Sequence, residues 1–132
     1  MKKIFLLSLF ILLLGACNTE VVVRVPDEEV IPVGASQADI ENAFQNKYPD
    51  WNLNELAIVV SETRENFAQG YVGPKNGDAG GGYFFAAKTA TGWIIAADGN
   101  GTLDCVEIEP YNFPTDMIPE CYDIENQKII TR

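Results

Sequence analysis

Tyr83-Phe84-Phe85-Ala86-Ala87-Lys88-Thr89-Ala90-Thr91-Gly92-Trp93-Ile94-Ile95-Ala96-Ala97 is a pair of apolar runs joined by a short break. Each run is strand-length and carries aromatic or β-branched residues, so each reads as a β-strand. The break Thr89-Ala90-Thr91-Gly92 turns one strand antiparallel to the other. Upstream, Leu56-Ala57-Ile58-Val59-Val60-Ser61 and the run from Phe67 to Gly73 read as two more strands, joined by the polar turn Glu62 to Asn66. A glycine-rich loop, Gly73 to Gly82, leads into the third. Short links between sequential strands imply an antiparallel meander.

Strands three and four are large and apolar on both faces: Tyr83, Phe84 and Phe85 in one, Trp93, Ile94 and Ile95 in the other. A sheet with one wet face shows apolar-polar alternation. Both faces of this sheet therefore need cover. One cover is a helix from Ser36 to Tyr48, where Ile40, Ala43, Phe44 and Tyr48 recur at helical spacing. Ser36 caps it, Asp39 completes a capping box, and Pro49 stops it. The candidate for the second face is the segment Val106 to Tyr122, with Ile108, Tyr111, Phe113, Met117 and Ile118. If that segment lies elsewhere, the aromatic face is open to a partner. The fold class expected is α+β: one N-terminal helix packed on a four-stranded antiparallel meander, with a disulfide-tied irregular C-terminal segment. Pro110, Pro114 and Pro119 argue against long regular elements there.

The chain begins Met1-Lys2-Lys3, continues in an apolar run from Ile4 to Leu14 broken only by Ser8, and reaches Leu14-Gly15-Ala16-Cys17. A basic start, a short apolar core and small residues form the grammar of a signal peptide, and the run is short for a permanent span. Leu14 to Cys17 resembles the bacterial lipobox, which implies that Cys17 is lipidated and becomes the new N-terminus. The domain plan is then a lipoprotein signal peptide at 1–16, a tether at 17–35 and a single α+β domain at 36–132. Within the tether, Val21 to Val25 is β-prone, but Pro26 and Pro32 bracket the acidic residues that follow. It reads as a spacer, with an edge strand as the alternative. Asn18 is not the aspartate retention signal, which points to an outer membrane in a cell that has one.

The chain has three cysteines and no histidine. With Cys17 lipidated, Cys105 and Cys121 remain as a pair. In an oxidising compartment they read as a disulfide, and two sulfurs without histidine make a poor metal site. The missing histidine also removes the usual general base and the usual forms of Ser-His-Asp and Cys-His catalysis. The net charge of −10 repels nucleic acid and anionic headgroups, so membrane attachment must come from the lipid.

Asp98-Gly99-Asn100-Gly101-Thr102-Leu103-Asp104-Cys105-Val106-Glu107 imitates the later part of an EF-hand loop, with Asp98, Asn100, Asp104 and Glu107 at ligand positions. Ala96 occupies the first ligand position, and a β-run precedes the loop in place of a helix. No metal site and no cofactor are expected. Gly80-Gly81-Gly82 has no helix behind it to present N–H groups to a phosphate, and reads as flexible loop. Glu28 with Glu29, Glu62 with Glu65 and Glu107 with Glu109 are paired carboxylates, which in so acidic a chain read as surface. Ser36 and Ser61 lack a histidine to activate them, and Lys88 ends a hairpin. No catalytic residue is assigned.

From Ile40 onward the chain resembles a group of small secreted or lipid-anchored bacterial domains of unknown function. The resemblance rests on Lys47-Tyr48-Pro49, Gln69-Gly70, Gly80-Gly81-Gly82, Ala86-Ala87-Lys88, Trp93, Asp98-Gly99, Cys105, Phe113-Pro114 and Cys121, and spans about two-thirds of the chain by elements. It implies structure and brings no activity. The helix-plus-meander plan also resembles cystatin-like folds, including protease-inhibitor-type and PepSY-type domains, without the Gln-x-Val-x-Gly inhibitor motif. The expected function is an extracytoplasmic, lipid-anchored, non-enzymatic binding or interaction module of the cell envelope. Its partners are the membrane, through the N-terminal lipid, and an unknown protein, with no nucleic acid. An inhibitor-type domain is the alternative, and a carboxylate hydrolase a distant one.

Overall fold

The Ser36 Oγ accepts the Asp39 N–H at 3.2 Å, and the Ser36 N–H donates to the Asp39 carboxylate at 2.9 Å. This reciprocal cap satisfies two donors that a helix start leaves without partners, and it launches α1 (Gln37–Lys47). The architecture is taken from a computed structural model, which describes residues 34–77 and 80–132. Cys17, the expected signal peptide at 1–16 and the expected tether as far as residue 33 lie outside the described residues. The last two tether residues, Gly34 and Ala35, are described. Ala35 is buried, and its N–H donates to the Thr63 Oγ1 at 2.7 Å.

A 3-10 turn (Leu53–Glu55) leads from α1 into the meander. Its strands are β1 (Leu56–Thr63), β2 (Phe67–Pro74), β3 (Gly82–Thr89) and β4 (Gly92–Gly99). They lie in sequence order, each antiparallel to the next. This is the expected α+β plan, with strand ends running one or two residues beyond the apolar runs.

Each face of the sheet carries its own core. Against one face, α1 buries Ile40, Ala43 and Phe44 over Ile58, Ala68, Val72, Phe84, Ala86 and Ile95. Phe44 meets Phe84 edge-on at 5.4 Å between centroids. Gly70 makes room for this pair, since a Cβ there would press into the Phe84 ring and the Val59 carbonyl. The other face, with Phe67, Tyr83, Phe85, Ala87 and Ala97, is covered by Ile108, Phe113, Met117 and Ile118. The segment Val106 to Tyr122 thus covers the β3–β4 side of the second face from within the chain, as its apolar content suggests, while Val59 and Tyr71, paired across β1 and β2 on that face, stay 51% and 42% exposed.

Two bulges set what each face presents. The β1–β2 register slips between Val60 and Glu62, and the β3–β4 register slips opposite Phe85 and Ala86, leaving Ala96 unpaired. A one-residue slip moves every later side chain to the opposite face. Beyond the first bulge Thr63 turns to the helix side, where it meets Ala35. Beyond the second, Ala97 joins the C-terminal core and Asp98 comes to the helix side.

The last third is more regular than expected. It contains a single helical turn, α2 (Cys105–Ile108), a 3-10 turn (Glu109–Tyr111), and a hairpin of β5 (Glu120–Asp123) and β6 (Lys128–Thr131). The hairpin escapes notice in the sequence because its loop has no glycine. Gln127 itself takes the positive φ of 52° that the reversal needs. The Cys105–Cys121 disulfide is present and joins α2 to β5. The Arg64 guanidinium grips the Asp116 carboxylate with two hydrogen bonds, at 2.9 and 3.1 Å, fastening the same segment to the β1–β2 turn.

Candidate functional site

Two places gather chemistry. The first is Asp98 at the end of β4, whose side chain is only 9% exposed. Its carboxylate takes the Lys47 ammonium at 2.6 Å, and the Tyr48 hydroxyl lies 3.0 Å from each of its oxygens. Burial pulls the Lys47 pKa down, but the Asp98 hydrogen bond and charge outweigh it and leave it raised. Burial and the Asp98 carboxylate raise Tyr48. Trp51 stacks on Tyr48 with centroids 4.0 Å apart. A small cleft of about 240 Å³ lies beside them, edged by Trp51, Gly80 to Gly82 and Asn100. Among the described residues its one carboxylate is Asp98, already compensated by Lys47, so the cluster clamps α1 to β4.

The EF-hand-like residues are therefore put to other uses. Asp98 serves the clamp, Asn100 edges the cleft, and Asp104 stands at the start of α2. The Tyr83 hydroxyl has its pKa raised by burial, and then by the charges of Glu107, Asp98 and Asp104. No group of three or more acidic or cysteine side chains among the described residues is placed to hold a metal ion. Gly80 to Gly82 proves more than a flexible loop. Gly82 opens β3, a Cβ on Gly81 would strike the Tyr71 ring, and one on Gly82 would strike the Gly99 carbonyl. Among the paired carboxylates, Glu62 is held by Arg64 and Gln69 at 2.7 Å each, and Glu28 and Glu29 lie outside the described residues. Ser36 is spent on its cap, Ser61 falls at the β1 bulge, and Lys88 is exposed near the end of β3.

The second place is a groove of about 820 Å³ between α2 and the β5–β6 hairpin. Buried Ile108 and Cys121, half-buried Cys105 and Ile130, and so the disulfide itself, supply its apolar base. Val106 and Ile124 stand at its mouth, 66% and 60% exposed. Asp104, Glu109, Asp123 and Glu125 also line it. Among the described lining residues the single cation is Arg132, whose guanidinium donates to the Phe113 and Ile118 carbonyls at 3.0 Å each.

Four acids in one groove invite comparison with carboxylate hydrolases. That chemistry needs one carboxyl kept protonated near neutral pH by burial. Here Glu109 and Glu125 are exposed, and hydrogen bonds from the Asn126 side chain and backbone hold Asp123 below the usual carboxylate range.

Sequence reasoning found the disulfide and missed the groove. Its one signal was Ile124, an aliphatic residue set in the polar string Asp123-Ile124-Glu125-Asn126-Gln127. In comparisons with known proteins, no family, no curated protein and no solved structure matches this chain.

Proposed function

We propose that this chain is a lipid-anchored, extracytoplasmic interaction module of the cell envelope, without a catalytic role, that docks a partner in the groove between α2 and the β5–β6 hairpin. The observation that carries the reading is the exposure of Val106 and Ile124 at the mouth of that groove, which has buried Ile108 and Cys121 at its base. Isolated exposed aliphatics are ordinary, but paired around a concave apolar surface they favour a contact site.

The address has separate support. A disulfide between Cys105 and Cys121 points to an oxidising, extracytoplasmic compartment. No helix among the described residues is long and apolar enough to cross a membrane. Acyl chains on Cys17 would supply the attachment, and more than one chain is needed for stable anchoring. The lipobox-like string Leu14-Gly15-Ala16-Cys17 supports the same assignment.

The test is photo-crosslinking in intact cells, with a photoreactive residue at position 106 or, as a control, at Val59 on β1, which is exposed but does not line the groove. A discrete adduct from 106 and none from 59 is expected. No adduct, or equal adducts from both, contradicts the reading. Mass spectrometry of the native N-terminus tests the anchor: an acylated Cys17 is expected, and a retained Met1 or an unmodified Cys17 contradicts it.

A further inference from the structure

We infer that the occupant of the α2–hairpin groove is a cationic amphipathic peptide segment, one that offers aliphatic side chains to Val106 and Ile124 and ammonium or guanidinium groups to Asp104, Glu109, Asp123 and Glu125. The inference rests on the docking reading above and specifies its partner by chemistry.

Charge complementarity carries the choice. Among the described residues the groove is lined by four carboxylates and one cation, and that cation, Arg132, is turned onto backbone carbonyls. Lys128, opposite Asp123 across the hairpin, is a nearby cation, but the lining itself stays net negative, and an anionic or purely apolar partner would bring its own charge or none to it. Like charges brought together at an interface oppose binding, whereas opposite charges steer encounter and fix orientation. The Asp123 carboxylate, held by Asn126 at the hairpin loop, keeps its charge into acid. The groove also combines both elements that helix-in-groove recognition uses, an apolar centre and a charged margin. Val106 on α2 and Ile124 at the head of the hairpin loop come from different elements, held in relation by the Cys105–Cys121 bridge. The apolar centre is therefore preformed, and binding need not order it.

The test uses the full chain, disulfide intact, in uncharged phosphatidylcholine nanodiscs, with empty nanodiscs as reference. The probes are a fluorescently labelled amphipathic peptide of Leu and Lys and its Leu and Glu counterpart, followed by anisotropy. Saturable binding of the Leu/Lys peptide is expected, weakening as salt rises, with affinity lower by about tenfold or more in both Ile124→Asp and Glu109→Lys. Val59→Asp leaves it unchanged. Ile124 and Glu109 are exposed and lie outside the strands, so those two variants keep the parent's melting temperature. Binding of the Leu/Lys peptide undiminished by the groove variants would mark it as general attraction to an acidic chain, and would overturn the inference. Equal binding of both peptides, lost in Ile124→Asp, would overturn the charge rule while leaving the groove as a docking surface. Absence of any binding overturns the inference as well, and crosslinking from position 106 then decides the docking reading independently.

Discussion

The Tyr48 hydroxyl lies 3.0 Å from both oxygens of the Asp98 carboxylate, fifty positions away in the chain. The contact exists because Ala96 bulges out of β4. Without the bulge, alternation along the strand would send Asp98 to the opposite face, among Tyr83 and Phe85. The same carboxylate receives Lys47, so the end of α1 is fixed to the end of β4 by two donors from adjacent residues.

Removing that clamp has a definite cost. Tyr48→Phe deletes a hydrogen bond to a charged acceptor while keeping the ring that stacks on Trp51, and is expected to destabilise the domain by about 1.5–3 kcal/mol. Asp98→Ala leaves two donors without their acceptor and should cost at least as much. In a urea-unfolding double-mutant cycle, the paired change should cost less than the sum of the singles. Strict additivity would show that the contact carries no energy.

The cap of α1 sets a pH dependence. Hydrogen bonds from the Ser36 side chain and backbone hold the Asp39 pKa below its ordinary value of 3.8. A carboxyl with a depressed folded-state pKa contributes stability that is fully present above its unfolded pKa and is lost as pH falls through the folded one. The cap contribution is therefore constant near neutrality and fades below about pH 4. Ser36→Ala should cost about 1 kcal/mol at pH 7 and progressively less in acid. A difference between parent and variant that grows on acidification would contradict the assignment.

Disulfide removal should act on one side of the sheet. Cys105 and Cys121 are 16 residues apart, a loop whose closure is worth about 3 kcal/mol in the unfolded chain. Cys105→Ala with Cys121→Ala is expected to lower stability by about that amount. Hydrogen exchange should quicken first in the 103–132 segment and last in α1. Uniform quickening across both cores would show that the segment and the helix side unfold as one unit.

How much of this was legible in the sequence follows from pattern degeneracy. Ser36, Pro49 and the apolar spacing between them specify α1, and the breaks between apolar runs specify the meander. The excess of large residues in β3 and β4 correctly demanded a second cover. The bulges could not be read, because Trp93 to Ala97 is apolar throughout and alternation there carries no phase. The hairpin was hidden because Gln127 does what a glycine ordinarily does. With the hairpin hidden, the groove it walls was hidden too. The disulfide was legible by counting, since one of the three cysteines was assigned to the lipid.

The loop from Asp98 to Glu107 should not bind calcium tighter than about millimolar, the weak end for extracellular modules. Asp98 is engaged by Lys47 and Tyr48, and Ala96 has no side-chain oxygen to replace it. Calorimetric titration checks this. Micromolar binding abolished by Asp98→Ala would reverse it.

The central claim is that a partner seats between α2 and the hairpin, and photo-crosslinking from position 106 in cells tests it most directly when it is repeated in an Ile124→Asp background. Ile124 lies across the groove mouth on another element, so a partner seated there touches both. The account predicts a single adduct from 106 that disappears with Ile124→Asp while the protein's level and melting temperature stay at the parent values. An adduct of unchanged yield in the Ile124→Asp background would contradict it.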